Sequence, residues 1–205
     1  MRRAFGGGRG GAVDWLIVGL GNPGREHAGT RHNVGFMVAQ ALVERWALGG
    51  GSERFRGRIV EGRVGAGAGE ALPVRPRRRV ALLCPQTYMN DAGRSVGPAR
   101  GALKLPLRRV LVVHDEIDLP FGEVRTRMGG GLAGHNGLKS IQRELGSADF
   151  TRVRVGVGRP QGTDPEIVSA YVLGRFREGE AEVNELIARA CEAVEAVVFD
   201  EQPPG

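Results

Sequence analysis

The chain has 205 residues, of which 41% are hydrophobic, 25% charged and only 5% aromatic. That is enough apolar material for one domain with a core of Val, Leu, Ile and Ala. It excludes wholesale disorder, and no apolar run is long enough to cross a bilayer. Lys and Arg outnumber Asp and Glu by 29 to 23, which favours anionic partners such as nucleic acid, phosphates or anionic lipid; a coding bias toward Arg, Ala and Gly explains the excess equally well, since only Lys104 and Lys139 are lysines.

Residues 1–13 are rich in Gly and Arg and lack the apolar core of a secretory signal. They read as a disordered extension or a misplaced start. From Trp15 the chain alternates strand and helix signals. Residues 15–20 form a short buried-strand run, and residues 34–48 place Phe36, Met37, Ala41, Leu42 and Trp46 near helical spacing. A strand is expected over 54–64, a Gly/Pro/Arg-rich loop over 65–79, and strands at 80–84 and 110–113. Ala92, Val96, Ala99 and Leu103 share one face of a helix over 91–105. Residues 122–128 alternate as a half-exposed strand, and Leu138, Ile141 and Leu145 mark a helix over 135–145. The run RVRVGVG at 152–158 alternates strictly, so its arginines face away from its valines. Asp164 and Pro165 suit the N-cap and first position of a helix. The longest amphipathic helix spans 180–198, with Val183, Leu186, Ile187, Ala190, Val194 and Val197 inward, before a tail at 201–205. With no linker or repeat, residues 14–200 make a single α/β domain, a twisted mixed β-sheet surrounded by α-helices. Cys84 and Cys191 lie far apart in apolar surroundings without metal-ligand spacing and read as buried thiols of a reducing compartment.

Four segments carry candidate chemistry. GLGNPG at 19–24 matches a dinucleotide fingerprint literally, but Pro23 sits inside it and a polar stretch follows before any helix. No acid ends a second strand where a ribose would need it. What remains is Asn22 just past a strand, and His32 with Asn33 entering the next helix; a turn-forming Asn and a capping or packed His are the structural alternatives. HDEIDLP at 114–120 crowds Asp115, Glu116 and Asp118 where the chain leaves a buried strand. Metal binding lacks a second cluster of hard ligands. A carboxylate that orients a histidine is the other use, and His32 with Asp115 would form such a pair if their strands are neighbours. PQTYMNDAG at 85–93 offers Tyr88 as a ring face and Asn90, with Asn90 as a helix cap and a packed Tyr88 the structural alternatives. MGGGLAGHNGLKS at 128–140 is a glycine loop entering a helix, with Arg127 before it, Lys139 in the first turns and Arg154 on the following strand. Cations around such a loop suit a phosphate. Asn22, Asn90 and Asn136 each follow a strand exit and present acceptors and donors in fixed geometry, as an amide-bearing ester substrate requires.

Taken together, LIVGLGNPGREHAGTRHNVGF, PQTYMNDAGRSV, HDEIDLPFGEVRTRMGGGLAGHNGLKSI and RVRVGVGRP resemble the bacterial-type peptidyl-tRNA hydrolases, in order, from about residue 15 to 198. The resemblance implies a cytoplasmic, monomeric enzyme without metal or nucleotide cofactor. It would cleave the ester between peptide and tRNA, recycling tRNA from stalled translation. It implies His32 as catalytic base and Asp115 as its partner, with Asn22, Asn90 and Asn136 positioning substrate and water. Arg127 and Arg154 match a clamp for the 5′-phosphate at the acceptor end, where the first position is often lysine. His27, in NPGREH, stands at a substrate-facing position that is tyrosine in many members, and Leu132 interrupts the glycine loop. The rival reading is a non-catalytic RNA-binding relative of the same fold that serves in RNA processing.

Overall fold

The computed structural model describes residues 12–65 and 76–200. Residues 1–11 of the expected extension, 66–75 of the expected loop and the 201–205 tail lie outside the described residues. The fold has already begun at Val13, which is buried in the core, and Asp14 is bonded to the backbone of Arg79.

In chain order the elements are β1 (Trp15–Gly19), α1 (Val34–Arg45), β2 (Ser52–Arg54), β3 (Gly57–Val64), β4 (Arg78–Pro85), α2 (Gly93–Leu103), β5 (Val110–Glu116), β6 (Val124–Met128), α3 (Asn136–Leu145), β7 (Thr151–Gly156), α4 (Pro165–Leu173) and α5 (Glu180–Phe199). They build a 7-stranded mixed sheet in the order β2-β3-β4-β1-β5-β7-β6. β4, β1, β5 and β7 are mutually parallel, whereas β2, β3 and β6 pair antiparallel at the two ends. The apolar faces follow from strand alternation. Trp15 and Ile17 of β1 pack against α1 and α5, and Leu16 and Val18 against α2 and α3. Asp164 caps α4 through the Glu166 N–H at 2.8 Å, with Pro165 in the first turn, as expected.

Three sequence expectations need correction. The strand over 54–64 is a hairpin, β2 and β3, turning at Phe55 and Arg56 with φ of 56° and 52°. Positive φ at both turn positions matches the twist of the flanking strands, but here it falls on two bulky residues rather than on Asn or Gly, so no turn signal marks it. Asn90 is not a helix cap: it lies in a short 3-10 turn, and α2 begins at Gly93 without a side-chain cap. His114, Asp115 and Glu116 do not follow the strand but complete β5, held in register with Arg154, Val155 and Gly156.

The four parallel strands end on one edge, where open α/β sheets collect their ligand-binding groups. α1 packs onto that edge at unusually close range. A Cβ on Gly35 would stand 2.4 Å from Leu20 N and 2.5 Å from Val113 O. Only a residue without a Cβ lets the helix approach the β1 and β5 backbones this closely, and that approach sets where the residues just before α1 sit.

Candidate active site

His32 lies in the 3-10 turn Arg31–Asn33 that opens α1, and Asp115 lies near the end of β5, which neighbours β1. Their side chains meet: His32 Nδ1 is 2.9 Å from Asp115 Oδ1. A carboxylate accepts, so His32 Nδ1 carries the proton and Nε2 is left as a lone pair. His32 also lines an open cleft of about 860 Å³. Burial works against the His32 cation, but the charge and the hydrogen bond of Asp115 outweigh it and raise its pKa above the ordinary value. Burial likewise opposes the Asp115 anion, but His32 and His135 hold its pKa well below the usual carboxylate range.

Two further histidines, absent from the sequence reading, complete the cluster. His135 Nε2 lies 3.0 Å from the same Asp115 Oδ1, and its Nδ1 accepts from the Gly137 and Leu138 N–H groups at 3.1 and 3.4 Å. Acting as the N-cap of α3 puts the lone pair on Nδ1 and the proton on Nε2, aimed at Asp115. His114 Nδ1 donates to the Asp115 backbone carbonyl at 2.7 Å, and its buried Nε2 has no partner among the described residues. Burial first, and the adjacent His135 second, push His114 down to about 3, so the ring is neutral. The signal for His135 was its place immediately before the helix in GHNG, but its reach to Asp115 depends on two loops meeting across the sheet edge. His32, Asp115 and His135 also place three potential metal-ligand atoms within 4.8 Å of one another. In the geometry described, those atoms are engaged in the two hydrogen bonds.

Asn22 is buried and locked. Its Oδ1 accepts from Met89 N at 2.8 Å, and its backbone N–H and C=O each pair with the Asn33 side chain at 2.9 Å. With Oδ1 occupied, the Asn22 Nδ2 amide is the group left to donate toward the cleft that Asn22 lines. Asn90, Asn136, Lys139 and Tyr88 also line the cleft, with Tyr88 67% exposed. The opposite wall is α4, which presents Val168, Val172 and Leu173. His27 is not part of this lining. It sits in the turn before Thr30, with its Nε2 3.9 Å from Glu26.

Neither arginine of the expected clamp is part of the cleft lining. Arg127 is exposed on β6. Arg154 is half-buried on β7, with its Nε 2.9 Å from Glu116 Oε2. Register places Arg127 opposite Arg152, and Arg125 opposite Arg154. Strand alternation does set Arg152 and Arg154 apart from the valines, and Arg152 is fully buried on that face.

The family model for peptidyl-tRNA hydrolase matches residues 16–203. The chain belongs to the peptidyl-tRNA hydrolase family. It is 45% identical to the peptidyl-tRNA hydrolase of Streptomyces coelicolor over 91% of this chain and 90% of that one. It is 42% identical to that of Bdellovibrio bacteriovorus over 91% and 94%. The crystal structure of the Acinetobacter baumannii peptidyl-tRNA hydrolase superposes with a TM-score of 0.75 at 34% identity, covering 92% of this chain and 91% of that one. The chain is thus an enzyme of this family, and a non-catalytic RNA-binding role is not favoured. Among the described residues no helix is long and apolar enough to cross a membrane.

Proposed function

We propose that the chain hydrolyses the ester between the peptide and the terminal ribose of peptidyl-tRNA by water that His32 activates, freeing tRNA from stalled or aborted translation. The observation that carries this reading is the His32–Asp115 bond of 2.9 Å, with the second ring nitrogen of His32 left for chemistry at the cleft. Neutral His32 takes a proton from water at Nε2, and Asp115 stabilises the imidazolium that forms. The resulting hydroxide attacks the ester carbonyl carbon. The developing oxyanion accepts from a side-chain amide, Asn22 or Asn90, and the occupied Oδ1 of Asn22 favours its Nδ2 as that donor; such a donor is worth roughly 3 kcal/mol. The bond to the ribose oxygen then breaks, and that oxygen takes the proton back from His32. No nucleophilic Ser or Cys takes part, and no step falls to His27.

Asn90 and Asn136 are placed to pair with the amide that adjoins the ester in a peptidyl substrate. An aminoacyl-tRNA offers a hydrated, charged amine instead. Both asparagines are exposed in the open cleft; once bound substrate covers them, polar groups left unpaired discriminate by up to ~10⁴-fold. Arg127, Lys139 and Arg154 bind the acceptor end through its 5′-phosphate, so affinity falls with salt and is indifferent to base sequence. The reading includes a monomer acting in the cytoplasm without metal or cofactor.

The test is peptide release from N-acetylaminoacyl-tRNA in EDTA, with His32→Ala and unblocked aminoacyl-tRNA as controls. Hydrolysis of the blocked ester by the parent protein alone is the expected result. Near-normal turnover by His32→Ala would sink the assignment of the base, and equal rates on both substrates would sink the account of selectivity.

A further inference from the structure

The glycine loop after β6 is held between two guanidinium groups. From beneath, Arg152 Nη1 donates to Gly131 O at 3.0 Å and Nη2 donates to Gly129 O. From outside, Arg127 lies against the bare Cα of Gly130: a Cβ there would stand 2.6 Å from Arg127 Nη2. Gly129 and Gly130 have φ of 59° and 81°, a conformation that glycine adopts without strain. The Gly129 N–H is tied to Phe150 O at 3.1 Å. The N–H groups of Gly130 and Leu132, which share peptide units with those two carbonyls, make no hydrogen bond among the described residues.

Arg152 itself is unusual. It is 1% exposed, its Nε is buried without a partner, and among the described residues its hydrogen bonds go only to those two loop carbonyls. A buried cation without a bonded carboxylate is costly. Glu116, whose charge reaches Arg152, bonds Arg154 instead. Register puts Arg125, Arg127, Arg152 and Arg154 on one face of the sheet edge; Glu123 pairs with Arg125 and Glu116 with Arg154, Asp149 stands beside Gly129, and Arg127 and Arg152 bond no carboxylate among the described residues. The excess charge lies directly under the loop.

We propose that Arg152 is a positioning residue for a phosphate monoester. By drawing the carbonyls of Gly129 and Gly131 inward, it turns the N–H groups that share those peptide units, of Gly130 and Leu132, outward, where they bind the anion together with Arg127. N–H groups turned outward along one glycine-rich loop form an anion-binding concavity, and a fixed cation beneath them strengthens it. This deepens the reading of Arg127 and Arg154 as 5′-phosphate ligands and rests on it. It adds the backbone N–H groups of Gly130 and Leu132 to the site and gives the buried charge of Arg152 a purpose.

The experiment compares kcat/KM on N-acetylaminoacyl-tRNA carrying a 5′-phosphate with the same substrate dephosphorylated to a 5′-hydroxyl. The parent protein is expected to prefer the phosphate by about tenfold or more, the size of a charge-assisted contact. Arg152→Met is expected to lose most of that preference through a higher KM on the phosphorylated substrate. Arg152→Lys keeps the charge, but its single ammonium cannot fork to both carbonyls, so the preference is again expected to fall several-fold. The lysine variant carries the test if the methionine variant does not fold. Preference retained in both variants overturns the proposal, as does an equal loss on the two substrates, which marks a merely structural role. A parent protein indifferent to the 5′-phosphate overturns the clamp reading itself, and the proposal with it.

Discussion

His135 Nε2 stands 3.0 Å from Asp115 Oδ1, the same oxygen that holds His32. One ring thereby caps α3 with Nδ1 and shares the Asp115 carboxylate with His32 through Nε2. The two duties separate by substitution. His135→Asn keeps a good N-cap, whereas His135→Ala loses it at about 1 kcal/mol of stability. Both lose the donor to Asp115. With that donor gone, more of the Asp115 charge acts on His32, so the His32 pKa rises further. The acid limb of the kcat/KM profile is expected to move to higher pH in both variants, with thermal stability reduced only in His135→Ala. Unmoved acid limbs would show that His135 does not tune the pair.

Asp115→Asn tests the pair from the other side. Burial alone lowers a histidine pKa, and it is the Asp115 charge and hydrogen bond that reverse the sign for His32. Without that charge the His32 pKa falls below its ordinary value. The acid limb is expected to shift to lower pH, even as the maximal rate drops by about 100-fold or more through loss of imidazolium stabilisation. A pH–rate profile of the variant reads both effects. An acid limb that stays above about 6.5 would contradict the assignment of His32 as the titrating base.

Much of this site is legible in the sequence because it sits at strand exits. Asn22, Asn90, Asp115 and His32 each lie at or just past the end of a run whose periodicity marks a parallel strand or the start of a helix. Parallel strands all deliver their ends to one edge. What escaped depends on contacts between loops distant in sequence. His135 meets Asp115 only because the loop before α3 folds over the end of β5. Alternation places Arg152 on the face away from the valines but says nothing of its burial, and it is buried because the glycine loop doubles back over it. The β2–β3 turn escaped for a local reason, since Phe55 and Arg56 adopt positive φ without the residues that usually announce it. His27 resembled a substrate-facing position only by alignment of motifs, and the turn that carries it leaves it outside the cleft lining.

Gly35 is the position at which packing and chemistry meet. An alanine there would bring its Cβ to 2.5 Å from Leu20 O and Val113 O, and neither backbone can yield without moving β1 or β5. Overpacking of this kind costs about 1–3 kcal/mol. Because α1 follows His32 directly, the helix must shift and carry the ring away from Asp115. Gly35→Ala is expected to melt at lower temperature and to lose kcat more than KM. Normal turnover at the lowered melting temperature would show that the helix seat and the His32–Asp115 bond are independent.

His114 makes the fold sensitive to acid. In the native state its pKa is pushed down to about 3, whereas in the unfolded chain it returns to about 6.5. Above about 6.5 the ring is neutral in both states and costs nothing. As pH falls below that value only the unfolded chain takes the proton, so native stability is lost at roughly 1.4 kcal/mol per pH unit until the folded ring also titrates. His32 contributes no slope in this window, because its raised pKa leaves it protonated in both states there. Asp115 contributes only below its unfolded value of about 3.9. Thermal melts between pH 6 and about 4.5 therefore isolate His114. The parent protein is expected to lose melting temperature steadily across that range. His114→Gln, whose amide still donates to the Asp115 carbonyl but does not titrate, is expected to show a much flatter profile whatever its starting stability. Parallel slopes in the two proteins would mean that His114 is not held neutral in the fold.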